Sequence, residues 1–103
     1  MKGIGTDFQK KVWRATQRIP AGKVSTYARI AKAIGKPNAA RAVGNALNAN
    51  PYAPKVPCHR VVKSSGEIGG FASGTQKKKK LLEGEGIRVK SGKVDLEKFH
   101  SFF

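Results

Sequence analysis

The first part of the chain repeats apolar and polar positions with the period of an α-helix. In residues 6–18 apolar side chains recur every three or four positions, which predicts a helix that begins after Thr6 or Asp7 as the N-cap. Trp13 lies on its apolar side and is expected to be wholly or partly in the core. The helix is predicted to end at Pro20-Ala21-Gly22, since proline and glycine interrupt helices.

Two further apolar stripes predict a second and a third helix. The second is predicted to begin after Ser25 or Thr26 and to end at Gly35-Lys36-Pro37, and the third to begin near Asn38. Two short helices joined by a three-residue turn that contains glycine are typical of a helix-turn-helix. Any small helical hairpin has a similar pattern, so this feature alone does not establish a DNA-binding function.

The second half predicts shorter elements. Residues 50–57 contain three prolines and predict a stiff, ordered loop. Residues 61–69 predict a small β-hairpin, and residues 75–83 an amphipathic helix. Residues 87–89 and 93–94 predict a terminal β-ribbon. The expected fold class is therefore mainly α with a small β-hairpin wing, a winged-helix-like domain that contains a helix-turn-helix.

Length and hydropathy suggest a single globular domain. The 103 residues are enough for one modest core, so residues 1–103 are expected to form one domain. The longest apolar runs are only a few residues long, and the first residues lack the apolar segment of a secretory signal. The expected location is the cytoplasm.

Charge narrows the range of partners. The chain has 21 Lys plus Arg against 6 Asp plus Glu, a formal charge of +15. This excess favours a polyanion, with nucleic acid the first candidate and an anionic membrane surface the second. No segment combines a long apolar face with a basic back, as a membrane-surface helix would. The same charge is also explained by a solvated, lysine-rich surface that binds no specific partner. Lys77 to Lys80 are expected to form the basic face of a helix.

The single cysteine, Cys58, stands in the densest cluster of reactive side chains. One cysteine forms neither an internal disulfide nor a multi-thiolate metal site, so it is either a small buried apolar residue or a reactive thiol. A thiol becomes a nucleophile as the thiolate, which needs a base or a positive field. His59 and Arg60 follow directly. A purely structural role is also open, in which His59 only orders the loop and Arg60 binds a backbone carbonyl.

The surroundings of this cluster resemble the C-terminal domain of the O6-alkylguanine-DNA alkyltransferases, also called methylated-DNA–protein-cysteine methyltransferases. The similarity covers residues 8–87, and several motifs agree in order and spacing. Those motifs are Lys11-Val12-Trp13, Gly22-Lys23-Val24-Ser25-Thr26-Tyr27, Ala39-Ala40-Arg41-Ala42-Val43-Gly44, Asn50-Pro51, Val56-Pro57-Cys58-His59-Arg60-Val61-Val62, Ser65-Gly66, Gly69-Gly70 and Leu81-Leu82-Glu83-Gly84-Glu85-Gly86.

The resemblance implies a set of catalytic roles. Cys58 is the implied alkyl acceptor, and His59 the base that takes its proton through a water molecule. Glu85 is implied to orient that histidine, as in a catalytic triad. Asn50 is implied to fix the turn between the recognition helix and the active-site loop. Tyr27 is implied to lie beside the target nucleotide and to stabilise the guanine leaving group.

The resemblance also implies how DNA is bound. The partner is double-stranded DNA that contains alkylated guanine, and Arg41 fills the gap that the flipped nucleotide leaves. Tyr27, Ala40 and Ser64 are implied to contact DNA as well. The implied guanine pocket is lined by Val61, Gly70, Phe71 and Ala72. At position 72 some relatives carry a hydroxyl side chain, so Ala72 is expected to change substrate affinity or alkyl preference.

The function that follows is DNA repair by irreversible transfer of the alkyl group to Cys58, once per molecule. No metal or cofactor is expected, and the protein is expected to be a monomer without the N-terminal domain that usually precedes this one. The main competing hypothesis is a non-catalytic relative that binds alkylated DNA, signals to other repair factors and lacks the cysteine. A winged-helix regulator with an incidental thiol is a second competing hypothesis, and a Cys-His hydrolase is a third. Hydrolases of that type bring Cys and His together from distant segments.

Overall fold

Three helices pack around the first of two apolar cores. A computed structural model of the chain describes residues 5–51, 55–69 and 74–100. Helix α1 is Asp7–Gln17, α2 is Tyr27–Ala33 and α3 is Ala40–Asn48. The buried residues of this first core are Val12, Trp13, Ala15, Ile19, Ile30, Ala31, Val43, Ala46, Leu47, Val56 and Val61.

Helix α1 begins where its sequence predicts. The Thr6 hydroxyl accepts a hydrogen bond from the Gln9 backbone N–H, and the Gln9 side chain accepts one from the Thr6 N–H. This reciprocal capping box satisfies two N–H groups that a helix N-terminus otherwise leaves unpaired. Trp13 is buried, as predicted, and its indole N–H donates to the Ala46 carbonyl at 2.9 Å. That bond links α1 to α3.

The helix-turn-helix is present, but its turn is longer than predicted. Helix α2 is capped by the Thr26 hydroxyl, and the left-handed Gly35, with φ of 79°, follows its end. Helix α3 begins at Ala40 rather than near Asn38. The Ala39 N–H donates to the Lys36 carbonyl, so the residues around the proline form a turn of their own before α3 begins.

The described residues include four two-residue strands, which form two small sheets. Strand β1, Ser25–Thr26, pairs in parallel with β2, Val61–Val62, in the register Ser25↔Val61 and Thr26↔Val62. Strand β3, Val89–Lys90, pairs antiparallel with β4, Lys93–Val94. The loop between β3 and β4 is Ser91-Gly92, and both residues have positive φ, as a two-residue hairpin turn requires. The predicted terminal ribbon is therefore confirmed.

The strand pairing predicted for residues 61–69 was wrong. A turn does close there, since the Lys63 N–H donates to the Glu67 carbonyl. However, β2 pairs with β1, and Glu67 forms its bridge with Lys93. The reason is burial: Val61 and Val62 are both inaccessible, so β2 lies between layers and pairs with another buried segment.

Helices α4, Thr75–Gly84, and α5, Leu96–Phe99, complete the fold. Helix α4 agrees with the prediction within one residue, whereas α5, capped by Asp95, was not predicted. In the ranges that the structure describes, every helix is too short or too polar to cross a bilayer. The second core consists of Val24, Val62, Ile68, Leu82, Ile87, Val89 and Val94.

Gly66 is predicted to be essential for packing between the 63–67 turn and β4. It has φ of 93°, and a Cβ there would lie 2.7 Å from the Val94 carbonyl oxygen. Gly35 also has a positive φ, of 79°, but no neighbouring atom lies within 4 Å of where its Cβ would be. Gly35→Ala should therefore cost only about 1 kcal/mol of backbone strain. Gly66→Ala should cost roughly 3 kcal/mol, because the steric clash adds to the strain. Urea unfolding followed by circular dichroism measures both, and equal losses would contradict the packing argument.

Candidate active site

Cys58 lies at the start of a short turn that directly follows Pro57. Residues Cys58–Arg60 form a 3₁₀ turn, in which the Cys58 N–H donates to the Val56 carbonyl and the Arg60 N–H donates to the Pro57 carbonyl. The Cys58 side chain is partly buried and packs against the first core. The thiol is therefore held by the core and still partly accessible, as a reacting group must be.

His59 is buried and hydrogen-bonded to a carboxylate. Its Nε2 lies 3.1 Å from Glu85 Oε2, and the residue is 4% exposed. Burial lowers the pKa of His59, the hydrogen bond to Glu85 partly offsets this, and the cations Arg60 and Lys78 lower it further. The neutral ring therefore carries its proton on Nε2, facing Glu85, and its Nδ1 has the lone pair that a base needs.

Glu85 is held by two partners. Burial raises the pKa of this carboxyl, but hydrogen bonds from Arg60 and His59 more than offset the effect, so its pKa lies below the ordinary value. Arg60 donates from Nη2 to Oε2 at 2.6 Å and from Nε to Oε1 at 2.9 Å. The Arg60 Nη1 donates to the Ile19 carbonyl at 2.7 Å. Arg60 therefore both binds a backbone carbonyl and belongs to the charged cluster.

Tyr27 opens helix α2 and extends between several elements. An added Cβ at Gly44 of α3 would lie 3.8 Å from its ring, and one at Gly69 would lie 3.4 Å from its hydroxyl oxygen. Burial raises the pKa of Tyr27, and an ionised Cys58 raises it further. The phenol therefore stays protonated at neutral pH and can act as a hydrogen-bond donor.

Lys78 is the residue that the sequence analysis missed. The basic-face prediction for Lys77 to Lys80 was wrong at this position, because the Lys78 side chain is fully buried. Its ammonium donates to the Val61 carbonyl at 2.7 Å and to the Tyr27 hydroxyl at 3.4 Å. Burial lowers its pKa to about 8, and an ionised Cys58 would raise the pKa. Helical periodicity was the available signal: Lys78 is four residues before the buried Leu82 and shares its face.

Asn50 spans the proline-rich loop. Its side-chain amide donates to the Val56 carbonyl at 3.0 Å, two residues before Cys58. Because Asn50 follows the end of α3 directly, this bond connects the third helix to the active-site turn. The contact agrees with the position that the resemblance implies for Asn50.

The residues implied in DNA binding lie at the start of α2, in the first turn of α3 and in the turn after β2. Ala40 and Arg41 form the first turn of α3, and Arg41 is exposed. Arg41 is three residues before Gly44, which faces the Tyr27 ring, so both lie on one side of the helix. Ser64 is exposed in the turn after β2 and lines a shallow groove with Thr26, Ala28, Arg29, Lys32 and Leu96.

Part of the implied guanine pocket is described. Val61 is buried, and its carbonyl accepts the Lys78 hydrogen bond. Gly70, Phe71 and Ala72 lie outside the described residues. The described part of the site therefore joins Cys58, the His59–Glu85 pair and the Tyr27–Lys78 pair around the 3₁₀ turn and the first residue of β2.

Comparison with known proteins identifies the family. Residues 7–87 match the family model described as the DNA-binding domain of 6-O-methylguanine DNA methyltransferase. This chain belongs to that family. A methylated-DNA–protein-cysteine methyltransferase of Methanosarcina acetivorans is 55% identical over 82 residues, which are 80% of this chain and 53% of that protein. One of Mycobacterium tuberculosis is 51% identical over 85 residues, 82% of this chain and 52% of that protein. The chain thus spans about half the length of the curated relatives it matches.

Solved structures of the family confirm the predicted fold class. M. tuberculosis OGT in complex with DNA matches with a TM-score of 0.79 and 51% identity, over 81% of this chain and 51% of that one. S. pombe Atl1, in complex with damaged DNA containing O6-carboxymethylguanine, matches with a TM-score of 0.84 and 36% identity. That match covers 95% of this chain and 98% of Atl1.

The buried Lys78 predicts how stability depends on pH. Its pKa is about 8 in the folded protein and 10.5 when exposed, so between these values the unfolded chain binds more protons. Stability should therefore rise with pH, by roughly 2 kcal/mol from pH 8 to pH 10. Lys78→Met should abolish this rise, whereas Lys80→Met, which changes an exposed neighbour, should keep it. Urea unfolding across this range measures both, and parallel curves would contradict the assignment.

Proposed function

We propose that this chain repairs DNA by transferring the alkyl group of O6-alkylguanine irreversibly to Cys58. The observation that carries the proposal is the partly buried thiol followed directly by a neutral histidine, which is hydrogen-bonded to an ionised carboxylate. Family membership supports it, since relatives about 50% identical are named methylated-DNA–protein-cysteine methyltransferases. In this proposal residues 1–103 act as the catalytic DNA-binding domain, which is C-terminal in longer relatives.

The proposed reaction is a displacement at the alkyl carbon. The Cys58 proton passes through a water molecule to His59 Nδ1, and Glu85 stabilises the imidazolium that forms. The sulfur–carbon bond forms as the carbon–O6 bond breaks. Guanine departs neutral after taking a proton, which the Tyr27 hydroxyl can donate.

Lys78 compensates the charge that this proton transfer creates. If Tyr27 gives up its proton, the ammonium of Lys78 is already within hydrogen-bond distance of the phenolate oxygen, at 3.4 Å. Proton exchange with solvent then returns His59 to its neutral form and Tyr27 to the phenol. The thioether product has no good leaving group, so each chain reacts once.

The proposed substrate is duplex DNA, from which the damaged nucleotide is flipped into the site. An alkylated base inside the stack is out of reach of a thiol, so extrusion has to precede transfer. In this proposal the exposed Arg41 on α3 fills the resulting gap, and the charge of +15 supplies contacts to phosphates. We propose that the protein acts as a cytoplasmic monomer.

Covalent transfer is tested by the mass of the intact protein. Incubation with duplex DNA carrying O6-methylguanine should add one methyl group per chain, at Cys58, and then stop. Cys58→Ser should bind DNA without gaining mass, because a serine hydroxyl is not ionised at neutral pH. Tight binding of alkylated DNA by the unaltered chain without a mass change would instead support a non-catalytic, signalling function.

The role proposed for Arg41 is tested with two substrates. Arg41→Ala should lose most of its single-turnover transfer rate on duplex DNA, where the nucleotide must be flipped. On free O6-benzylguanine, which needs no flipping, the loss should be far smaller. Lys80→Ala, at an exposed position on α4, should change DNA affinity and its salt dependence without changing the rate on the free base. An equal loss on both substrates for Arg41→Ala would mean that Arg41 supports the pocket or the fold.

A further inference from the structure

Arg60 is the one charged residue of the Pro57-Cys58-His59-Arg60 motif, and the proposed chemistry assigns it no task. Its guanidinium is nevertheless largely enclosed, with 17% of the side chain exposed. It reaches Glu85 through Nε and Nη2, and its Nη1 donates to the Ile19 carbonyl at 2.7 Å. A bidentate guanidinium–carboxylate pair has a fixed orientation, which a single ammonium cannot supply.

The two ends of this bridge differ in burial and in local structure. Ile19 follows the end of α1 and is fully buried, so its carbonyl is fixed by the first core. Glu85 is the C-cap residue of α4, is followed by Gly86 with φ of 84°, and has 18% of its side chain exposed. A carboxylate at such a helix end has several rotamers open to it, and the fork of Arg60 selects one.

The selected rotamer is the one that serves His59. Glu85 Oε2 accepts from Arg60 Nη2 at 2.6 Å and lies 3.1 Å from His59 Nε2, so both groups converge on one oxygen. We propose that Arg60 is a positioning residue for alkyl transfer: anchored on the Ile19 carbonyl, it holds Glu85 so that this carboxylate fixes the orientation and tautomer of His59. The expected effect on the rate of alkyl transfer rests on the proposed function, whereas the coupling of Arg60 to His59 through Glu85 rests on geometry alone.

Arg60 also sets the charge around His59. The charged groups that act on the ring are Glu85 and Lys78 from α4 or its end, and Arg60 from the same turn. The guanidinium of Arg60 offsets the negative charge of Glu85 while His59 is neutral. Its positive charge also lowers the pKa of His59. The orientation that Arg60 gives to Glu85 therefore favours His59 as a base, whereas the positive charge of Arg60 weakens it. The rate of a single variant does not separate these two effects.

A double-mutant cycle separates an effect through Glu85 from a general structural one. Arg60→Met should slow transfer from free O6-benzylguanine by roughly 10-fold to 100-fold, by analogy with the loss of partners that orient metal-bound histidines. In the Glu85→Gln background the same change should cost less than about 3-fold, since there is no carboxylate left to position. Equal factors in both backgrounds would overturn the proposal. Arg88→Met, at an exposed position, is the matched control and should leave the rate unchanged.

The state of His59 is read directly by nitrogen-15 NMR. In the unaltered protein Nε2 should carry the proton of the neutral ring, and Arg60→Met should shift the population toward the other tautomer. The chain has two histidines, and the exposed His100 serves as an internal reference that should not change. An unchanged His59 tautomer in a folded Arg60→Met protein would also overturn the proposal.

Arg60→Lys covers the case in which the methionine variant does not fold. Lysine keeps the charge but cannot span Glu85 and the Ile19 carbonyl together, so the rate should still fall and the tautomer should still shift. An unaltered rate and tautomer in Arg60→Lys would overturn the proposal, because charge alone would then be sufficient. If the unaltered chain transfers no alkyl group, the proposed function fails, while the NMR measurement still decides whether Arg60 controls His59.

Discussion

The parallel pairing of β1 with β2 sets the cysteine turn against the helix that begins with Tyr27, because each strand is joined directly to one of these two elements. Strand β1 ends at Thr26, the N-cap of the helix that begins with Tyr27, and β2 begins immediately after Arg60. The register Ser25↔Val61 therefore sets the position of the phenol relative to the cysteine turn. Consecutive residues of β2 face different cores, Val61 the first and Val62 the second, so the register is held from both sides.

The polar side chains His59, Arg60, Lys78 and Glu85 form a layer that is bonded to residues of the first core, and each of the four has a defined partner. Lys78 donates to the Val61 carbonyl and the Tyr27 hydroxyl, and Arg60 joins Glu85 to the Ile19 carbonyl. Among the described residues, no buried side-chain nitrogen or oxygen is left without a hydrogen-bond partner. Buried charges are costly unless they are paired, so such a layer constrains geometry more than it increases stability. A site that has to place a thiol, a base and a proton donor benefits from that constraint.

The sequence predicted the helices well because they depend on local features. The capping box of α1 and the apolar stripes of α2 and α3 are contained within a few residues, and the fold class followed from them. The partner of β2 was predicted wrongly, since two-residue strands carry no periodicity and their pairing is decided by burial. Within the site, the structure brings His59 and Glu85 together and bonds Asn50 to the loop before Cys58, while the catalytic roles implied for these residues stay predictions. Lys78 was hidden in a run of four lysines, because composition suggests a solvated face while the helical phase turns this one residue inward.

The indole of Trp13 makes helix α3 visible to spectroscopy. It is the only tryptophan of the chain, is 1% exposed, and donates to the Ala46 carbonyl in the C-terminal half of α3. Indole emission depends on the polarity and hydrogen bonding around the ring, so the fluorescence of this protein reports the seating of one helix with no contribution from other indoles. Docking of α3 into a DNA groove, or its detachment from α1 at an early stage of unfolding, would change the emission wavelength without any attached dye.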